Sequence, residues 1–507
     1  MKQIIDRIYK RTTEYSHPAQ ATTIANSLEL LSSGIYTEEE RFIFELLQNA
    51  VDSYDEKSDG LDVRIEVGNG RLVFMHTGKS FSERDLEGLC DIGNGNKLSD
   101  AKKIGYKGIG FKSVFMHSRR VTVITNGTCF RFDEETCKEL VASKGKDYQD
   151  VKMPWQIIPI ISEIPEGVDY TNYNVTTILE VSNTDKLLKK VERLLSDARF
   201  LLFLKVDNLR VSLFDDKKEI LSLSKTQEGN ILTLAKNGIP QSNWLMFAKE
   251  VPIPSDVKED LIHDAKTPAK LKDSNSVEIS FAIALDNNGS IVPLKDAVVY
   301  TYLPTSFSFG FEFVVNANFI TDAGRQQLIK DCEWNKFIFS QIPSLFLNWI
   351  KDEVAPNHED WYKVLLPLKT ASDDLTISYS AALEESLGEI PFIRSLSQNQ
   401  ITIDSALFDK IDFAKALPSH IFDVVVKRHI SNKVSLDTLV SMDAYTYLKK
   451  YDVNDIPLSI VNLFIDKASD YISQFSDRDM FSFLLWLNNY SIDKGDDLSS
   501  FLTVSYT

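Results

Sequence analysis

The sequence predicts an α+β protein in three parts. Residues 1–203 read as an α/β sandwich, a mixed sheet with helices on one face. Residues 204–332 read as a β-rich α/β segment, and 333–507 as a helical region. Three observations lead there. Glu45-Leu46-Leu47-Gln48-Asn49-Ala50-Val51-Asp52 puts acids and amides on one stripe of a helix. Alternating strands punctuated by Gly and Asn fill much of the stretch from Val63 to Phe319. From about residue 334 the apolar spacing turns helical, with breaks near Pro367, Pro391, Pro418 and Pro457. At 507 residues the chain exceeds one core, since domains hold roughly 100–200 residues.

Residues 1–33 read as helical up to Ser32-Ser33-Gly34. Thr37 and Glu40 form a capping box for a helix running to about Tyr54. At about 100° per residue, Glu45, Gln48, Asn49 and Asp52 share an arc, while Ile43, Leu46, Leu47, Ala50 and Val51 face a sheet. Val63, Ile65 and Val67 then alternate, Gly68-Asn69-Gly70 turns, and Leu72–Met75 returns as a hairpin. Ser82–Asp85 starts a short helix, and the Gly/Asn/Ser/Lys-rich stretch 91–103 has the composition of a mobile loop. A helix near 110–117, a hairpin turning at Asn126-Gly127, a strand at Thr176–Val181 and a helix over Lys186–Leu202 close the first part. Strands follow at Val277–Leu285, Tyr300–Thr305 and Phe311–Phe319. The final residues, Phe501–Thr507, read as a strand lacking a partner, which suggests the N-terminal piece of a longer chain.

The net charge of -17 argues against broad binding to nucleic acid. Four cysteines, with no C-x-x-C pair and no histidines at ligand spacing, make a disulfide framework or zinc site improbable and point to a reducing, cytoplasmic setting. No apolar run approaches the roughly 18 residues needed to cross a bilayer.

Asn49 offers a neutral oxygen that suits a hard cation such as Mg²⁺. One turn earlier Glu45 can orient or deprotonate a water. Gly105, Gly108 and Gly110 would let main-chain N–H groups approach phosphate oxygens, and Lys112 adds charge. Alone, the acidic stripe is an ordinary solvated helix face, and G-x-x-G-x-G is common. No Walker A sequence occurs. Together, with a strand and turn between, the two motifs are far more specific.

These residues resemble the gyrase, heat-shock chaperone, histidine kinase and mismatch-repair ATPases (GHKL, the Bergerat fold). Glu45–Asp52 is similar to that superfamily's N-box, and Ile104–Phe115 to its second glycine box. The pattern across residues 72–115 most resembles the sacsin-type branch, which is akin to the ninety-kilodalton heat-shock chaperone. The resemblance implies an ATPase with ATP and Mg²⁺. Glu45 would be the general base, Asn49 the magnesium ligand and Asp52 a further residue of the binding stripe. Gly105, Gly108, Ile109, Gly110, Phe111 and Lys112 would hold the phosphates beneath a lid over 82–104 that carries Lys97. Thr176 or Thr177 matches a strand threonine near the adenine, and Thr176 takes that place here.

One position departs from the superfamily. His76 and Gly78 stand where an Asp-x-Gly usually reads the adenine amino group, which puts base selectivity in question. Asp91-Ile92-Gly93-Asn94-Gly95 fits that motif literally, but it follows a helix and leaves a short lid, so His76–Gly78 is preferred. Arg325, after the β-rich segment, would reach the γ-phosphate as a second catalytic residue; a surface arginine on a helix fits the sequence equally well. Trp334-Asn335 reads as packing, as does His117. The resemblance further implies a transducer-like middle segment, a homodimer closing with ATP, an effector or client protein, and a place among anti-phage defence proteins.

Overall fold

The computed structural model describes residues 1–33, 42–91, 110–144, 148, 150–322, 324–429 and 436–494. They form a mixed α+β structure with one large mixed sheet and many helices. Two compact units emerge, Met1–Gly289 with Leu294–Asn335, and Ser290–Pro293 with Lys336–Thr507.

The first unit begins with α1 (Lys2–Thr13), α2 (Pro18–Ser33) and α3 (Phe42–Asp52). The hairpin β1 (Leu61–Gly68) and β2 (Arg71–His76) follows. Asn69 (φ 50°) and Gly70 (φ 73°) make its turn, the left-handed pair that keeps a two-residue connection in step with strand twist. α4 (Glu83–Leu89) starts at a reciprocal Ser82/Asp85 capping box. β3 (Arg120–Thr125) and β4 (Thr128–Asp133) form the second hairpin, then come α5 (Glu134–Ser143), β5 (Ile160–Ile161), β6 (Val175–Glu180) and α6 (Thr184–Leu194). β7 (Leu209–Asp215), β8 (Lys218–Glu228), β9 (Ile231–Lys236), β10 (Ile239–Pro252), α7 (Ser255–His263) and β11 (Ser276–Leu285) continue the unit.

From one edge the sheet runs Leu303–Pro304, Val299–Thr301, Val314–Ala317, then β11-β10-β9-β8-β7-β1-β2-β6-β3-β4-β5. Its middle joint is the parallel pair of β1 and β7, in register from Leu61–Leu209 to Val67–Asp215. The sheet is therefore continuous across residues 203 and 204.

Strand alternation gives β2 and β6 two unlike faces. Leu72, Phe74 and Leu179 belong to the main core, with Phe42, Ile43, Leu46, Leu47 and Ala50 of α3. Fully burying one such side chain contributes roughly 1.5–3 kcal/mol, so this packing fixes the pitch of α3 on the sheet. Val73, Met75, Ile124, Cys129 and Ile178 face away from α3, under Ile164, Val168, Tyr170 and Tyr173.

Two strand expectations need correction. Tyr300–Thr305 is a tight reversal: Val299–Thr301 and Leu303–Pro304 pair antiparallel, with Tyr302 at φ 66° between them. Its N–H donates to Asn316 Oδ1 at 2.6 Å, which holds an aromatic residue in a left-handed conformation. Within 311–319 only Val314–Ala317 is strand.

The second unit is chiefly helical but includes short strands the sequence reading missed. Ile393–Arg394 pairs with Gln400–Ile401, and Leu407–Phe408 lies between Leu439–Val440 and Asn454–Asp455. At two residues each, they are too short to show a period-2 pattern. An aromatic core of Phe413, Phe422, Phe464, Phe483 and Trp486 joins helices Ser419–His429, Leu458–Asp466 and Asp477–Lys494. Residues 501–507 lie outside the described residues. Among those described, no helix is long and apolar enough to cross a membrane.

Candidate active site

The acid–amide stripe lies on α3 as its spacing predicts, but its first two members are buried rather than solvated. Glu45 is 5% exposed and Gln48 only 1%. The residue beside them is Arg325. Its Nε is 3.3 Å from Glu45 Oε1, and its Nη1 donates to Gln48 Oε1. The two residues assigned catalytic roles are thus brought together from 280 positions apart in the chain, because the sheet carries both.

 

The sheet makes that meeting possible: α3 packs on its β2–β6–β3 part, and the Arg325 loop follows its Val314–Ala317 strand. Arg325 is not on a helix. It sits at φ 53°, its N–H donating to Asp322 O. Asn335, fully buried, fixes the loop: its Oδ1 accepts from Ile320 N–H, and its Nδ2 donates to Ile320 O and Ile329 O, each at 2.8 Å. Trp334 Nε1 donates to Asn318 O at 2.7 Å. The packing expected of Trp334-Asn335 is therefore what aims Arg325. Gln48 Nε2 is buried without a partner. Asn49 and Asp52 are half-buried on the same helix. Asp52 lies near enough to Tyr302 to help raise its phenol, after burial and Glu278.

The β2 end docks on the C-terminus of α3. Lys79 N–H donates to Ser53 O at 2.7 Å. A Cβ on Gly78 would meet Ser53 Oγ at 2.1 Å and Ala50 O at 3.2 Å, so only glycine permits this approach. Gly78 N–H donates to His76 Nδ1 at 3.2 Å. His76 is 4% exposed, and burial holds its pKa down to about 4, so the imidazole is neutral.

Register separates the two candidate threonines onto opposite faces of the sheet. Thr176 pairs with Met75 and Ile124, on the face turned away from α3. Thr177 pairs with Phe74 and Val123, on the α3 face with His76. The sequence could not choose between them, because a one-residue difference reverses the face and register is set by pairing.

Lys112 is also placed otherwise than expected. In the short helix Gly110–Met116 its ammonium is fully buried and donates to Leu89 O and to Gln156 O, the latter at 3.2 Å. Burial lowers its pKa to about 8. It therefore ties α4 to the segment at Gln156 in this structure, and Phe111 lies half-buried against the core. His117 stacks on Phe42 at 4.6 Å, a packing role. Lys97, Gly105, Gly108 and Ile109, with Thr37 and Glu40, lie outside the described residues.

No family model matches the chain. Over 347 residues, 66% of this chain, it is 23% identical to the Protein NO VEIN of Arabidopsis thaliana, covering 12% of it. It is 23% identical over 340 residues to the Chaperone protein HtpG of a Sulfurovum species, which spans 61% of this chain and 50% of that protein. With the HtpG of Treponema denticola it shares 24% over 287 residues, 49% of this chain and 41% of the relative. The chain spans half or less of the length of these curated relatives. They relate it, at low identity, to the chaperone-like HtpG proteins of the GHKL class and to NO VEIN.

Proposed function

We propose that the chain binds ATP with Mg²⁺ and hydrolyses it slowly, as a conformational switch. The observation that carries this reading is the approach of Arg325 to Glu45 and Gln48, supported by the distant relation to the HtpG chaperones. Mg²⁺ commonly takes one or two protein oxygens and completes its shell with phosphate and water, so the half-buried Asn49 amide suits it. When bound, Mg²⁺ neutralises phosphate charge. Glu45 orients the attacking water and takes its proton. It does so only after Arg325 exchanges its carboxylate for a γ-phosphate oxygen, where the guanidinium stabilises developing charge. Asp52 completes the polar stripe, and His76, Gly78 and Thr177 bound the base end. Gly105, Gly108, Ile109 and Gly110 cradle the phosphates, and Lys97 belongs to the lid.

The same pairing supports a second reading. A base held by arginine is idle, as suits a nucleotide-gated scaffold or chaperone-like binding module without turnover. Phosphate release by the wild type and Glu45→Ala separates them. Release that depends on Glu45 supports hydrolysis; equal inactivity in a chain that binds ATP leaves the scaffold.

The finer attributes belong to the same proposal: a sacsin-type assignment, closure as a homodimer, a transducer-like role for 204–332 between 1–203 and 333–507, an effector or client protein, a cytoplasmic setting, and a part in anti-phage defence. They rest on the resemblance of residues 72–115 and on the relatives.

A further inference from the structure

His76 Nδ1 already accepts the Gly78 N–H. Since the ring is neutral, its proton sits on Nε2, and the only group it can offer outward is a donor. Thr177 is the diagonal neighbour of His76 across the β2–β6 pair, on the same face. The two residues are 4% and 3% exposed, and neither His76 Nε2 nor the Thr177 hydroxyl meets a partner among the described residues. Although both residues are nearly buried, these two atoms keep some access to solvent, so they present a donor and a hydroxyl side by side to a ligand on the α3 face of the sheet.

We propose that this pair reads the nucleobase, with His76 donating to a ring acceptor and Thr177 adapting beside it, so that 6-oxopurine nucleotides are admitted on equal terms with ATP. The inference rests on the nucleotide-binding reading above. A carboxylate at this position would only accept, favouring the 6-amino group of adenine and repelling the 6-oxygen of inosine or guanine. A donor imidazole bonds either N1 of adenine or that oxygen. The Thr177 hydroxyl can donate or accept, and so meets the neighbouring amino group or ring N–H in each case.

Binding of ATP and ITP with Mg²⁺ to the full chain, wild type and His76→Asp, tests this. The wild type is expected to bind the two within about tenfold, and His76→Asp to shift the ratio toward ATP by about tenfold or more, the scale of one buried hydrogen bond made or lost. Wild-type preference for ATP beyond about a hundredfold overturns the inference while leaving nucleotide binding intact. Absence of binding by either triphosphate overturns the underlying reading instead. Nitrogen-15 spectra of the wild-type imidazole give a second readout that needs no variant. A proton on Nε2 is expected, and one on Nδ1 refutes the donor assignment.

Discussion

Replacing Arg325 with methionine removes the guanidinium from a buried carboxylate while keeping much of the apolar stem. Glu45 has 7% of its side chain exposed and Arg325 19%, with 3.3 Å between Nε and Oε1. At an effective dielectric near 20 the attraction is about 5 kcal/mol, most of it offset by desolvation of both ions. Breaking such a pair from one side costs about 3 kcal/mol, because the remaining charge stays buried. Denaturant unfolding of Arg325→Met, Glu45→Gln and the double variant would isolate the pair, with a coupling of about 1–2 kcal/mol expected at neutral pH. Phosphate release by Arg325→Met should fall about a hundredfold, as when one preorganised charge-stabilising donor is lost. A coupling near zero, with phosphate release unchanged, would refute the idea that Arg325 serves both as the partner of Glu45 and as a stabiliser of the transferring group.

Four further outcomes follow from the site. The His76 pKa falls from 6.5 unfolded to about 4 folded, so protonation favours unfolding: stability is fully present above pH 6.5 and drops by about 3 kcal/mol as pH falls to 4, and His76→Asn should flatten that limb of a pH-resolved denaturation series. Gly78→Ala should cost about 1–3 kcal/mol in thermal or urea unfolding through the clash with Ser53 Oγ, and Ser53→Gly should recover part of it. Asn335→Leu strips three main-chain partners from the Arg325 loop; about 3 kcal/mol of stability and most phosphate release should be lost, with ATP affinity in a binding titration little changed. Lys112→Met should leave ATP affinity within about threefold, since its ammonium is committed to Leu89 O and Gln156 O; a loss of about a hundredfold would return it to the phosphates.

Local patterns were legible in the sequence, and pairings were not. The apolar face of α3, the Asn69-Gly70 and Asn126-Gly127 turns and the Ser82 cap follow from residue spacing and turn chemistry, and all occur in the structure. The choice between Thr176 and Thr177 needed the register of β6 on β2, which no single strand encodes. Tyr302 lacks the Gly or Asn that marks a reversal, because Asn316, from another strand, holds its backbone. Lys112 read as a free charge since the carbonyls that bind it come from residues 89 and 156, distant in sequence. The burial of Glu45 and Gln48 likewise depends on a loop hundreds of residues away.

The parallel pairing of β1 with β7 bears on any attempt to dissect the protein. A fragment ending at residue 203 would strip β1 of its neighbour along seven residues, Leu61–Val67, leaving a row of unpaired N–H and C=O groups on the strand next to β2. Such an open edge recruits strands from other molecules, so the fragment should aggregate rather than behave as a portable ATPase module. Any cut that preserves the site must fall after β7 has been supplied.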